Sequence, residues 1–234
     1  FKPIKTDSLN VMLKKDKFEK DFTIRYKDQK KDSLNFSTKP SGTLNFRDRL
    51  TISSTNPLLK IDNSKMKLVN KDSLAVKFTT EYDEFNQEVK IDFVKEPLEK
   101  YTLDIFPGAM TDFLEQTNDT LSYKLTTQNT SEYGNLKITL SNVKQFPVIV
   151  ELTNEKGEIM ASDYSEGNSV VDFIGLLPNK FFLRIIYDEN KNKIWDTGNY
   201  LEKRQAEQVL YYPTAIDVRA NWDVDQTVDL KALE

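Results

Sequence analysis

The chain has 234 residues, a formal net charge of −4, 38% apolar and 30% charged residues, and neither His nor Cys. It therefore excludes the imidazole general base, the thiol nucleophile, disulfides and the usual zinc ligands. The aromatic share of 11% argues for a folded chain rather than a disordered one.

Lys and Arg are interspersed with Asp and Glu, so no basic stripe for nucleic acid is present. Even the run Lys14–Lys31 contains Asp16, Glu19, Asp21 and Asp28 and reads as a solvated strand–turn–strand surface. No apolar run approaches the length of a membrane span. The absence of Cys suits a reducing compartment and equally an envelope protein without disulfides, so it leaves location open. The opening Phe1-Lys2-Pro3, with no initiator Met or signal peptide, reads as a fragment or processed form, and Leu233-Glu234 as a cloning scar.

In chain order, a short phrase recurs at the start of alternating segments. It appears as Asp7-Ser-Leu-Asn-Val, Asp32-Ser-Leu-Asn-Phe, Asp72-Ser-Leu-Ala-Val and Asp119-Thr-Leu-Ser-Tyr. Leu9, Val11 and Leu13 fall on one face, as do Leu74, Val76 and Phe78, and Leu121, Tyr123 and Leu125. Such alternation predicts half-buried strands, with the Asp and Ser side chains closing the preceding turn. The uneven spacing excludes a solenoid. Further strands are predicted at Phe22–Tyr26, Lys65–Val69, Val89–Phe93, Tyr101–Phe106, Leu136–Leu140, Val148–Leu152, Val170–Phe173, Phe181–Tyr187, Val209–Tyr212 and Ile216–Arg219. One short helix is predicted at Leu201–Gln208 and a single turn at Phe113–Gln116.

The fold class is therefore all-β, as tandem antiparallel β-sandwiches. Polar, turn-forming stretches at Lys39–Gly42 and Gln128–Glu132 set the boundaries. Residues 1–40 hold too few strands for a core. They end an upstream β domain or add strands to the next sheet. Residues 43–128 form one sandwich and residues 133–230 a second.

The most chemically suggestive stretch runs from Asp188 to Asn199. Asp188, Asn190, Asn192 and Asp196 fall at positions 1, 3, 5 and 9, where a calcium loop presents its oxygens, with the Ile194 carbonyl between them and Asn199 at the twelfth position. Two carboxylates are few, so a bound Ca²⁺ would be structural and weak, about 10⁻⁴ M or looser. Lys193 stands where such loops carry Gly at positive φ, and with Lys191 it brings a second positive charge near the ion. The other reading is an Asx-rich turn whose side chains bond their own backbone.

Two further groups merit attention. Asp217, Asp223, Asp225 and Asp229 near Trp222 could form a hydrolytic carboxylate pair, or a polar strand edge that resists pairing. Tyr200, Tyr211, Tyr212 and Trp222 could form a sugar-stacking platform, or pack on a sheet face. No nucleophile elbow or phosphate loop is present.

Two segments carry a family resemblance. Leu103–Leu121, ending in Lys124-Leu-Thr-Thr127, resembles the closing strands of bacterial Ig-like domains of the surface-layer type, with its Pro-Gly-Ala, Thr-Asp and Asn-Asp turns. Thr55–Leu59 with Ile61-Asp62 is similar to the opening of that domain. Val171–Gln205, with Leu177-Pro-Asn-Lys and Trp195-Asp-Thr-Gly-Asn-Tyr200, resembles the C-terminal prealbumin-like module of Ig-like envelope lipoproteins. Asn179 stands where that module has Gly. The resemblance implies a non-catalytic, outer-membrane-associated or cell-surface protein. Its lipid anchor would lie upstream of Phe1, and it would bind a protein partner in the envelope. A carbohydrate-binding module that takes a glycan is the alternative.

Overall fold

The computed structural model describes residues 7–25 and 33–233. Phe1, Lys2, Pro3, Tyr26, Asp28, Lys31, Asp32 and Glu234, which enter the expectations above, lie outside the described residues. The described residues are all-β, with twenty strands, three short 3-10 segments and no α-helix. They divide into two compact units. Unit 1 comprises Phe1–Leu44, Arg49–Lys95 and Glu99–Thr126, and unit 2 comprises Asn45–Asp48, Glu96–Leu98 and Thr127–Glu234.

Unit 1 opens with a hairpin of β1 (Ser8–Lys15) and β2 (Phe18–Arg25), in one-to-one register from Ser8↔Arg25 to Lys15↔Phe18. Ten strands follow: β3 (Phe36–Lys39), β4 (Gly42–Thr43), β5 (Leu50–Ser54), β6 (Leu58–Ile61), β7 (Met66–Val69), β8 (Phe78–Asp83), β9 (Glu88–Phe93), β10 (Lys100–Ile105), β11 (Met110–Asp112) and β12 (Leu121–Thr126). They make sheets of order β4-β12-β10-β7 and β3-β5-β9-β8, with a short β11-β6 pair. Period-two alternation aims Leu50, Ile52, Val89, Ile91, Tyr101, Leu103, Ile105 and Leu125 into one core, each at most 2% exposed. Burying each such side chain stabilises the unit by about 1.5–3 kcal/mol.

Residues 1–40 do not behave as one piece. β3 is built into the sheet of unit 1 through β5, whereas β1 and β2 pair only with each other among the described residues. The third opener also departs from expectation. The strand begins at Phe78 rather than near Leu74, because Asn70 Oδ1 accepts the backbone N–H groups of Asp72 and Leu74 and turns the chain there. Leu74 is consequently exposed.

Unit 2 contains β13 (Gly134–Ser141), β14 (Val148–Thr153), β15 (Ile159–Ser165), β16 (Val170–Leu176), β17 (Asn179–Tyr187), β18 (Val209–Tyr211), β19 (Ile216–Val218) and β20 (Asp223–Asp229). One sheet has the order β16-β13-β20. The other has the order β15-β14-β17-β18, with β19 also on β17. Inward residues of both sheets share a core that includes Ile138, Val150, Phe173, Phe181, Ile185 and Val228. Gly134 is fixed by space. A Cβ there would lie 2.4 Å from the Arg219 carbonyl oxygen and 2.6 Å from a Val218 methyl.

Two pairings are parallel, β12 with β4 and β13 with β20. In each, the chain reaches its partner by a long crossover, which leaves the direction free. Leu201–Gln208 is not helical. Asn199 Oδ1 accepts the N–H groups of Leu201 and Glu202, and Asn199 and Arg204 bridge through their backbones, so a closed turn replaces the first helical turn. Asn179 takes no left-handed turn either, since it opens β17 opposite Val218.

Candidate functional site

The excursion between β17 and β18 is built on buried polar anchors. Tyr187, the last residue of β17, donates its N–H to the Gln208 carbonyl, and Asp188 donates to the Pro147 carbonyl. These bonds fix both ends of the excursion at the sheet. Asp188 is 1% exposed. Its Oδ1 accepts the N–H of Asn192 at 3.2 Å and its Oδ2 that of Lys193 at 2.9 Å. Asn190 Oδ1 accepts from Asn192 N–H, and Asn192 Oδ1 from Ile194 N–H. The nested acceptors curl the chain tightly, with Lys191 and Lys193 in the left-handed region at φ 63° and 67°. For residues other than Gly this conformation costs on the order of 1 kcal/mol, which the side-chain bonds offset.

Glu207, unremarkable in the sequence, closes the loop. Its Oε1 accepts Glu189 N–H at 2.8 Å and its Oε2 accepts Asp196 N–H at 3.0 Å, so one buried carboxylate holds both ends of the Asp188–Asp196 segment. The indole N–H of Trp195 donates to the Glu207 carbonyl at 3.1 Å. Tyr164 on β15 hydrogen-bonds Asp188, and its hydroxyl pKa is pushed up to about 12, first by burial and then by that bond. Lys193 Nζ lies 4.9 Å from the centroid of the Tyr164 ring, so its charge is directed at an aromatic face.

The expected ligand set is partly gathered. Asn190 Nδ2 and Asn192 Nδ2 both lie 2.6 Å from Asp196 Oδ2. The side chains of Asn190, Asn192 and Asp196 therefore converge, with amide nitrogens facing the carboxylate. To offer oxygens to a cation, both amides must turn over. Asn199 is not brought in, since its Oδ1 serves its own turn. Ile194 is exposed. Among the described residues no three Asp or Glu side chains converge as a metal cluster would.

The aromatic candidates stand on three separate elements. Tyr200 is at the tip of the excursion, Tyr211 is on β18 and Trp222 is in the turn before β20. Arg219 lies 5.0 Å from the Trp222 ring centroid, and the Tyr212 hydroxyl accepts a bond from Gln226 Nε2 at 3.0 Å. The carboxylates are likewise dispersed. Asp217 pairs with Arg219, Asp223 with Asn135, Asp225 with Lys137 at 3.6 Å, and Asp229 with Asn142. Asp223, Asp225 and Asp229 line one exposed side of β20, a strand with a single partner among the described residues.

The turn of the first resemblance is also stapled from within. Asp112 is fully buried, and its Oδ1 accepts the N–H groups of Leu114 and Gln116 while Oδ2 accepts Asn56 Nδ2. Asn118 accepts Met110 N–H and donates to the carbonyls of Phe106 and Asp119. Asp62 caps a 3-10 turn through the N–H and hydroxyl of Ser64. Asp62, Asp112 and Asn118 of the resembling turns are thus bonded to backbone.

Neither a family model nor a curated protein matches the chain. Among solved structures it is similar to native alpha-2-macroglobulin from Escherichia coli spanning domains MG0-NIE-MG1, at 11% identity over 76% of each chain, TM-score 0.35. It is similar to BcpA, the major pilin subunit of Bacillus cereus, at 12% identity over 96% of this chain and 78% of that one, TM-score 0.27. It is also similar to the Bacillus anthracis TIE protein, at 12% identity over 87% of this chain and 41% of that one, TM-score 0.27. These overlaps are too loose to bear on function.

Proposed function

We propose that this chain is a non-catalytic structural and interaction segment of a bacterial cell-envelope Ig-like lipoprotein, holding a protein partner at the outer membrane. The observation that carries the reading is the excursion between β17 and β18. Its base is stapled by Asp188 and Glu207, 1% and 6% exposed, while Tyr200 and Leu201 at its tip are 95% and 90% exposed. A rigid base presenting an apolar tip limits the ordering entropy that a partner must overcome. Tyr also contributes large contact area through few rotatable bonds.

The same loop is the proposed seat of a weak structural Ca²⁺. Asp188, Asn190, Asn192 and Asp196 would supply side-chain oxygens and Ile194 its carbonyl, with a dissociation constant on the order of 10⁻⁴ M. The ion would hold the loop without taking part in a reaction.

The test is co-purification of the full-length protein from its native membrane, with and without the double change Tyr200→Ser and Leu201→Ser. A defined envelope protein should co-purify with the parent and be lost from the variant, with the thermal midpoint unchanged. Retention of the partner by the variant would remove the tip from the reading. Glycan-dependent quenching of Trp195 or Trp222 fluorescence, with no protein partner, would favour the carbohydrate-binding alternative.

A further inference from the structure

Unit 2 has an open side along β20. The strand runs for seven residues, and among the described residues its partner is β13 alone, in unbroken parallel register from Asn135↔Asp223 to Ser141↔Asp229. About half of its backbone N–H and C=O groups therefore point away from the sheet. At the other edge of the sheet, the Ile174 carbonyl of β16 is taken by Arg47 Nη1 at 3.4 Å. The core is less covered on the β20 side as well. Leu136, Ile138 and Leu140 of β13 are at most 3% exposed, whereas Val224 and Gln226 of β20 are half-buried, as is Tyr212 after β18.

The side chains of β20 sort into two rows. Val224, Gln226 and Val228 face inward, and Asp223, Asp225, Thr227 and Asp229 face outward. On the same outer face, Lys137 of β13 stands opposite both Asp225 and Asp172 of β16. The strands of this sheet thus carry Asp172, Asp223, Asp225 and Asp229 outward against Lys137 alone. Asp223 and Asp229 take neutral amides, Asn135 Nδ2 and Asn142 Nδ2, which orient the carboxylates without cancelling their charge. This charge selects the occupant of the edge. Two copies of β20 meeting antiparallel about Gln226 would set Asp223 against Asp229, and like charges directly opposite are destabilising. An acidic strand would be repelled in the same way. A strand with Lys or Arg at alternate positions and apolar residues between them satisfies both rows. Its cations lie beside the aspartates, and its apolar side chains extend the core past Val224. In strand addition, main-chain bonds give affinity and alternate side chains give selectivity.

We propose that the free edge of β20 takes an extended basic segment of another protein as an added strand, with Lys or Arg side chains opposite Asp223, Asp225 and Asp229. The inference goes beyond the reading of the excursion tip and does not depend on it, because it concerns a different strand and a different kind of contact.

A labelled synthetic peptide, Lys-Val-Lys-Val-Lys-Val-Lys with blocked ends, tests it by fluorescence anisotropy against the whole chain. Its sequence reads the same in both directions, so it serves for parallel and antiparallel addition. It should bind saturably, and its Glu-Val counterpart should not bind. N-methylation of the alternate amides that face β20 should weaken binding by about 10-fold or more, while methylation of the other set, which faces solvent, should change it by less than about 2-fold. Asp223→Asn with Asp225→Asn should weaken binding by about 10-fold, through loss of two cross-strand charge pairs. Asp72→Asn with Asp119→Asn, an equal change of charge on exposed residues of unit 1, should leave it within about 2-fold. Four results would overturn the inference. One is no saturable binding of the lysine peptide. Another is an equal effect of the two methylation patterns, which would mean attraction by charge without strand addition. A third is equal binding of the Glu-Val peptide, which would mean that the aspartates select nothing. The last is a β20 variant that binds as the parent does.

Discussion

The strands β1 and β12 open on nearly the same phrase, Asp7-Ser-Leu-Asn-Val and Asp119-Thr-Leu-Ser-Tyr. Both form, and both alternate. Yet Val11 and Leu13 are 43% and 54% exposed, while Leu125 is 2% exposed in the core of unit 1. β12 is flanked by β10 and β4 under a second sheet, whereas β1 has β2 alone among the described residues. Alternation thus specifies that a strand has one apolar face, and the long-range neighbours determine whether that face is covered.

The sharpest way to break the comparison is to truncate both. Leu125→Ala should cost about 2–5 kcal/mol, from lost burial plus the cavity left behind. Leu13→Ala in the 234-residue chain should stay within about 0.5 kcal/mol, as expected for an exposed side chain. Urea unfolding followed by circular dichroism measures both. Equal losses would mean that the hairpin face is covered after all.

The same comparison explains what was legible in advance. β9, β10, β13 and β17 follow from period-two patterns of large apolar residues and β14 from a continuous apolar run, and the all-β class follows from them. β20 is not legible because Gln226 interrupts the inward face between Val224 and Val228, which leaves two apolar residues to mark a strand of seven. In the loop, Asp188, Asn190 and Asn192 were legible from spacing. Glu207 was not, because it acts across more than ten residues through backbone N–H groups, and no local pattern records such a bond. The expected helix at Leu201–Gln208 fails for a local reason: Asn199 Oδ1 takes the N–H groups of Leu201 and Glu202, and the backbone bridge to Arg204 closes a turn where the helix would start.

Two changes in unit 2 rank next, at about 1–3 kcal/mol. Gly134→Ala sets a methyl against the Arg219 carbonyl and Val218, and such overpacking costs about 1–3 kcal/mol unless the backbone shifts. Asp188→Ala leaves the Lys193 N–H without its acceptor and the Asn192 N–H with Asn190 Oδ1 alone, and losing a buried acceptor costs about 1–3 kcal/mol. A calcium titration of the melting temperature adds a second readout. If Ca²⁺ occupies the loop, millimolar calcium should raise the melting temperature of the parent and leave that of Asp188→Ala unmoved. A calcium-independent parent would leave the Asx-turn reading alone.

Acid should act on unit 1 through four named carboxylates. Asp62 is held below its ordinary 3.8 chiefly by the Ser64 hydroxyl, and Asp92 chiefly by the Arg49 guanidinium. Asp83 is lowered by the Asn86 amide and then Lys90. Glu99 is lowered from 4.5, chiefly by the Lys100 backbone N–H. A carboxylate depressed in the folded state contributes stability that is present above its unfolded value and is lost as pH falls through its folded value. Thermal melts should therefore be flat from pH 7 to 5 and decline progressively below pH 4.5. Asp92→Asn should flatten part of that decline. Tyr164 gives the opposite sign, because its raised pKa contributes stability that is lost as pH climbs from 10 toward about 12.

The smallest effect concerns Trp222, the side chain most open to a functional reading. The residue is 51% exposed, and its ring carries the Arg219 guanidinium 5.0 Å from the centroid. An exposed cation–π contact is worth about 0.5–1 kcal/mol. Trp222→Ala should therefore cost no more than about 1 kcal/mol, and Arg219→Ala nearly as much, with little further loss in the double variant because the two share one contact. A Trp222 loss several times larger would place the indole in packing that half-exposure does not suggest. Additive single losses would mean that the ring and the guanidinium stabilise the turn separately, leaving the indole face open to a ligand in the way that Tyr200 is open at the excursion tip.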